Sequence, residues 1–262
     1  VIVEKRRLSR RVLVGAGLIV AALSCGEVPT LPDGIAYITS VLLPSPAVAI
    51  GDTLRDSTGK ATPIRIYSIG NNGDTIAGVT PTFVVTTVPG KSVHITDAGY
   101  VIGDSLRTAQ IVGQVGSRLQ TPPVPLDVVL QPDSIAAVTT GHVVLTAVGS
   151  EVLVVSNPLQ AIVTSGVAKT PVKSIIVRYR VSRWFPAAFT FPDTTLVLLD
   201  DANRFQGDGR SSTDTTDASG NASRKVRTLP LGFDSLEITA SANNLKGVPL
   251  PGSPVHFIVT TK

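Results

Sequence analysis

Residues 177–185 read Val-Arg-Tyr-Arg-Val-Ser-Arg-Trp-Phe. Read with a period of two, Val177, Tyr179 and Val181 share one face, while Arg178, Arg180 and Ser182 share the other. Such alternation predicts a β-strand with one face in a core and one in solvent. The apolar pattern places this strand at Val172–Val181, with Arg183, Trp184 and Phe185 falling at its end.

Working outward, the same short runs recur through the C-terminal half. They predict strands at Ser134–Val138, Val143–Val148, Val152–Val155, Gln160–Thr164, Thr195–Leu199, Ala222–Thr228, Ser235–Ala242 and Val255–Thr260. Residues 204–219 are rich in Gly, Ser, Thr and Asp and predict an extended loop. The preceding half repeats the scheme at Ile38–Leu43, Pro63–Tyr67, Thr82–Thr87, Tyr100–Ile102, Thr108–Val112 and Pro125–Leu130. Turn clusters separate these runs, among them Ser57-Thr58-Gly59, Asn71-Asn72-Gly73-Asp74, Pro89-Gly90 and Asp97-Ala98-Gly99. Many short strands between turn signals predict an all-β chain of two tandem β-sandwich domains, 37–130 and 131–262. Aromatic residues make up 5% of the chain against 43% hydrophobic residues, so the cores are expected to be built of Val, Ile, Leu and Ala.

Two resemblances refine this reading. Ala49-Ile50-Gly51-Asp52-Thr53, with Gly99-Tyr100-Val101-Ile102-Gly103 and Ala109-Gln110-Ile111-Val112, resembles the bacterial Ig-like group 2 domain. Thr216-Asp217-Ala218-Ser219-Gly220-Asn221-Ala222, followed by Gly232 and Ile238-Thr239-Ala240, resembles a turn and strand pair of invasin-type bacterial Ig-like repeats. The resemblance implies immunoglobulin-like sandwiches on the surface or in the periplasm of a bacterium, and binding rather than catalysis.

Residues 1–26 have a different character. Lys5, Arg6, Arg7, Arg10 and Arg11 precede an apolar run from Val12 to Leu23. About a dozen residues is the length of a signal-peptide core and short of the roughly 20 needed for a comfortable membrane span. Ala22-Leu23-Ser24-Cys25 resembles a bacterial lipobox, which implies lipidation of Cys25. Ser9-Arg10-Arg11-Val12-Leu13 also looks like a twin-arginine export signal. Residues 1–26 are therefore expected to be a helical signal peptide or an uncleaved membrane anchor, and 27–36, rich in Pro and Gly, a linker. The membrane is the expected partner, through residues 5–25 or through lipid on Cys25.

Charge excludes one class of partner. The chain carries 23 basic and 19 acidic residues, for a net charge of +4. Five of the basic residues and Glu4 lie in the leader, leaving 18 of each sign in the rest. The folded part has no net charge, and nucleic acid is not an expected partner. Cys25 is the single cysteine, so no intrachain disulfide can form.

Few residues offer chemistry. Gly103-Asp104-Ser105-Leu106 spells the signature of a lipase and esterase family, but no histidine follows an aspartate at that family's spacing, and a serine without a base is inert. His94, His142 and His256 lack metal-ligand spacing. Asp200, Asp201, Asn203, Asp208, Asp214 and Asp217 are oxygen-rich but depart from the EF-hand pattern, and read as hydrogen-bonding turn residues. No catalytic residue, metal ligand or cofactor is expected. The candidate interaction patch is Arg178, Tyr179, Arg180, Arg183, Trp184 and Phe185, since Arg, Trp and Tyr are enriched at interface hot spots. The strand bearing them is expected to be a docking edge.

These features together lead to an expected function. The chain reads as a non-catalytic, membrane-tethered protein of the bacterial cell envelope, on the periplasmic or cell-surface side. It would act by protein contact, as scaffold or accessory subunit of a membrane or envelope complex; an energy-transducing respiratory or photosynthetic complex is one host that would suit it. The alternative is a surface lipoprotein for adhesion or polysaccharide binding.

Overall fold

The computed structural model describes residues 34–86, 92–116, 118–138, 140–146, 152–187, 195–205, 208–229 and 233–261. The leader with its expected helix, and Cys25, lie outside these residues. The described elements form an all-β chain. Among the described residues, no helix is long and apolar enough to cross a membrane.

Strands β1 (Ile35–Ile38), β2 (Ala47–Ala49), β3 (Ser68–Gly70), β4 (Thr75–Ile76) and β5 (Thr82–Val85) come first. They are followed by β6 (Val93–Ile95), β7 (Val101–Gly103), β8 (Thr108–Val115), β9 (Leu119–Gln120) and β10 (Val124–Val129). The second half contains β11 (Ser134–Ala137), β12 (His142–Leu145), β13 (Val154–Val155), β14 (Leu159–Ser165), β15 (Thr170–Pro171) and β16 (Ile176–Phe185). Then come β17 (Val197–Leu199), β18 (Ser211–Thr215), β19 (Asn221–Thr228), β20 (Ser235–Ala242) and β21 (Val255–Thr261).

Every described ladder joins strands on the same side of residue 131. In the second half, a sheet ordered β11-β14-β19, with β13 and β17 also on β19, faces a sheet ordered β12-β21-β20-β16-β18. In the first half, β2-β10-β8-β5 forms the larger sheet and β1-β3-β4 a smaller one. Each half closes by the same device: an early strand runs parallel to the last one, β2 along β10 and β12 along β21. This is the arrangement of immunoglobulin-like sandwiches.

Alternation determines which side chains meet inside. The burial pattern of β20 is strictly alternate, with Leu236, Ile238, Ala240 and Ala242 buried. Val177, Tyr179 and Val181 of β16 point into the same core. That core also departs from the aliphatic expectation, because Tyr179 and Phe257 are among the largest fully buried side chains and stack at 6.5 Å between ring centroids. The first core is aliphatic, built on residues such as Leu54, Ile111 and Leu126.

Several elements differ from the sequence expectation. The long strand begins at Ile176, four residues late, because Ser174 takes a φ of 61° and bends the chain; the buried Thr216 side chain clamps this bend to Val172 and Ile175. Ser211–Thr215 is a strand inside the stretch expected to be a loop. Its Ser and Thr residues carry no hydrophobic alternation, and pairing with β16 along five residues is what makes it a strand. Pro63–Tyr67 contributes only an isolated bridge between Arg65 and Leu42.

The two sandwiches meet through a fitted joint. Ala47 and Val129 of the first half belong to the core of the second. The Lys173 ammonium donates to Asp127 at 2.6 Å, the Ser174 hydroxyl donates to the same carboxylate, and Thr108 donates at 2.5 Å. Gly59 and Gly247, both at positive φ, bring backbone against backbone. A Cβ on Gly59 would lie 2.0 Å from the Lys246 carbonyl oxygen, and one on Gly247 2.5 Å from that of Thr58.

Candidate interaction surface

Strand β16 lies inside its sheet, paired to β20 on one side and β18 on the other. From Ile176 to Val181 both rims of its backbone are used, so this part is not the docking edge expected from sequence; the β18 ladder ends at Arg180, before Ser182–Phe185. What it offers is one face. Arg178 and Arg180 stand on it, exposed, beside Thr213 and Ser211 of β18 and Ser241 and Thr239 of β20. Neither guanidinium meets an acceptor among the described residues; the backbone carbonyls of both residues accept weak bonds from Ser241 and Thr239.

Tyr179 does not belong to that surface. It is 0% exposed, and its hydroxyl donates to the Ala222 carbonyl of the facing sheet at 2.7 Å. Burial pushes its phenol well above the ordinary value. The period of two places it opposite Arg178 and Arg180, so Tyr179 belongs to the core and not to the surface patch expected from sequence.

At the other end of β16 a register shift falls between Val181 and Arg183. It turns Arg183 and Ser182 both toward solvent. Arg183 pairs with Glu237, which also accepts from His256 at 2.7 Å. The His256 hydrogen bond, aided by Arg183, holds the Glu237 carboxyl below its usual value. Trp184 packs partly against the core, with the Arg210 guanidinium 5.2 Å from its ring centroid. Phe185 is 62% exposed.

Between the two halves lies a cleft of about 490 Å³. Arg55 and Thr58 form its first-domain wall; Arg178, Thr213, Ser241 and Asn244 line the second. Arg55 is already committed, donating to Asp52 at 3.0 Å and to the Gly59 carbonyl at 3.1 Å. Sequence patterning cannot reveal this cleft, because its walls come from segments more than a hundred residues apart.

The remaining candidates fall elsewhere. Ser105 is not hydrogen-bonded to a histidine, although Asp104 beside it accepts from His94 Nδ1 at 2.8 Å. That pairing carries no sequence signal of the family motif, because His94 precedes the serine. Asp201 accepts from Ser223, Asp208 from the Ser211 amide, Asp200 from the Arg204 amide, and Asp217 from the Ser219 and Asn221 amides. Asp200, Asp208 and Asp217 thus close turns, while Asp201 ties its loop to β19. Among the described residues, no group of three or more His, Cys, Asp or Glu is placed to hold a metal ion. The Asp217–Gly220 turn has two counterparts of the same form, Asp56–Gly59 and Asn244–Gly247. In each, a side-chain oxygen accepts amides two and four residues on.

No protein-family model matches the chain, and no curated protein does. Among solved structures, it is similar to the adhesin InvE of Yersinia pseudotuberculosis at 16% identity and a TM-score of 0.36, over 86% of this chain and 58% of that one. The chain thus spans less than two thirds of that adhesin's length. Domains 4 and 5 of the S-layer protein SbsC give 13% identity and 0.29, over 86% and 96% of the two chains. The D00-D0 domain of intimin gives 10% and 0.26, over 86% and 100%. At these scores the similarity carries no argument about activity.

Proposed function

We propose that the chain is a non-catalytic, membrane-tethered protein of the bacterial cell envelope that works by contact, as a scaffold or accessory subunit of a membrane or envelope assembly. The observation that carries this reading is the end of β16. There an exposed Phe185, a half-buried Trp184 under Arg210, and Arg183 form an aromatic and cationic surface on a rigid strand. The basic and apolar leader supports the tether. An energy-transducing complex, respiratory or photosynthetic, is one host that suits such a subunit. A second reading, a surface lipoprotein for adhesion or polysaccharide binding, is favoured by the polar cleft between the domains.

Two measurements test the first reading. Intact mass of the protein extracted from native membranes should show either lipid on Cys25 or a retained leader; a leaderless, unlipidated chain would defeat the tether. Affinity capture from solubilised membranes should bring down a stoichiometric partner, and Phe185→Asp should lose it. Capture of the same partner by that variant would remove the proposed contact.

A further inference from the structure

We infer that the cleft between the domains, with the Arg178–Arg180 face running out of it, binds a carboxylate-bearing saccharide such as a uronic-acid oligomer. The inference gives a chemistry to the adhesion and polysaccharide reading and rests on that reading alone. It stands or falls independently of the Phe185 contact.

The charge argument comes first. Arg178 lines the cleft and Arg180 lies two residues along the same face, both exposed and without an acceptor among the described residues. Successive same-face residues of a strand are roughly 7 Å apart. The pair therefore presents two forked donors at a spacing that suits carboxylates repeated along a flexible oligomer. The cleft also holds negative charge. The Thr58 hydroxyl and the turn amides hold Asp56 down at about 2, so it stays a carboxylate. Its oxygens are filled by Thr58, Lys60 and Thr62 of its own domain. Asp52 is offset by Arg55, and Lys246 stands 3.9 Å away. Asp52 and Asp56 together balance Arg55 and Lys246, so the net charge of this surface is that of the two β16 arginines.

The rest of the lining selects the kind of anion. Thr58, Thr213, Ser241 and Asn244 supply hydroxyl and amide groups that both donate and accept, the complement of a ligand dense in hydroxyls. Among the described residues no aromatic ring lines the cleft, so a neutral sugar would lack a stacking platform and the charge must do the holding. An extended peptide cannot add to β16 alongside Arg178 and Arg180, where both rims are already paired. The volume lies within the range of small-ligand sites.

Calorimetric titration of the full chain in detergent with hexagalacturonate, and with neutral maltohexaose for comparison, tests the site. Saturable binding of hexagalacturonate is expected, with Arg178→Gln weakening it by about tenfold or more and Arg178→Lys by less, since the bidentate fork is lost but the charge kept. Thr213→Tyr, which fills the cleft while keeping both guanidinium groups, should also abolish binding. Arg65→Gln, outside the cleft, should leave it unchanged. Absence of saturable binding, equal binding of maltohexaose, full affinity in folded Arg178→Gln or Thr213→Tyr, or equal loss in Arg65→Gln would each overturn the inference. So would binding of the same face to anionic lipid vesicles without competition from hexagalacturonate.

Discussion

Arg224 shows how single residues hold the second sandwich together. It is 6% exposed, lies on β19, and reaches across to the other sheet. There it donates to the Ser212 hydroxyl and the Thr213 carbonyl of β18, and pairs with Asp214 at 3.1 Å. Asp214 keeps 27% of its side chain in solvent and an amide bond from Ser223, so losing Arg224 leaves it only partly unpaired. Arg224→Met should therefore cost about 1–3 kcal/mol, read as a lower midpoint in urea unfolding. Tyr179 links the same two sheets through a single bond to Ala222. Tyr179→Phe keeps the ring packing and loses that bond, for an expected cost of about 1–3 kcal/mol in the same measurement.

At the scale of elements, the turns decide where the sandwiches touch. The Asp56–Gly59 and Asn244–Gly247 turns share one design, and each puts its positive-φ glycine against the other's backbone. Gly59→Ala would combine a disfavoured φ with a clash against the Lys246 carbonyl. It should destabilise the protein by about 1–3 kcal/mol and loosen the joint. Thermal unfolding would register the first effect, and a larger radius of gyration in small-angle scattering the second. Strand β18 shows the limit of pattern reading at this scale. Its residues Ser-Ser-Thr-Asp-Thr carry no apolar alternation, since they lie at the edge of the sheet and draw their order from β16 and from Arg224.

At the scale of the molecule, the joint is polar and therefore pH-sensitive. Burial pushes the Asp127 carboxyl up, but hydrogen bonds from Lys173, Ser174 and Thr108 outweigh it and hold the group below its usual value. A depressed carboxyl contributes stability that is fully present above the unfolded value near 3.9 and lost as pH falls through the lower folded value. The two sandwiches should thus hold their mutual arrangement at neutral pH and loosen in acid below about pH 4. Asp127→Asn should show the loosened state already at neutral pH, with little further change on acidification. Scattering profiles across that range, compared between the two proteins, check it.

The sequence by itself determined the all-β class, because alternation such as that of residues 177–185 is a local property that survives without knowledge of neighbours. It also placed Arg178 and Arg180 together on one face. It determined the turns too, since Asp217 and Gly220 carry their own hydrogen bonds and φ preference. What only the tertiary structure decided is who stands beside whom. Whether β16 is an edge or an interior strand depends on β18 and β20, and Tyr179 is assigned to the core by the opposing sheet. The cleft exists because Thr58 and Asn244, far apart in the chain, end on facing turns. Those outcomes rest on long-range packing, which no local period encodes.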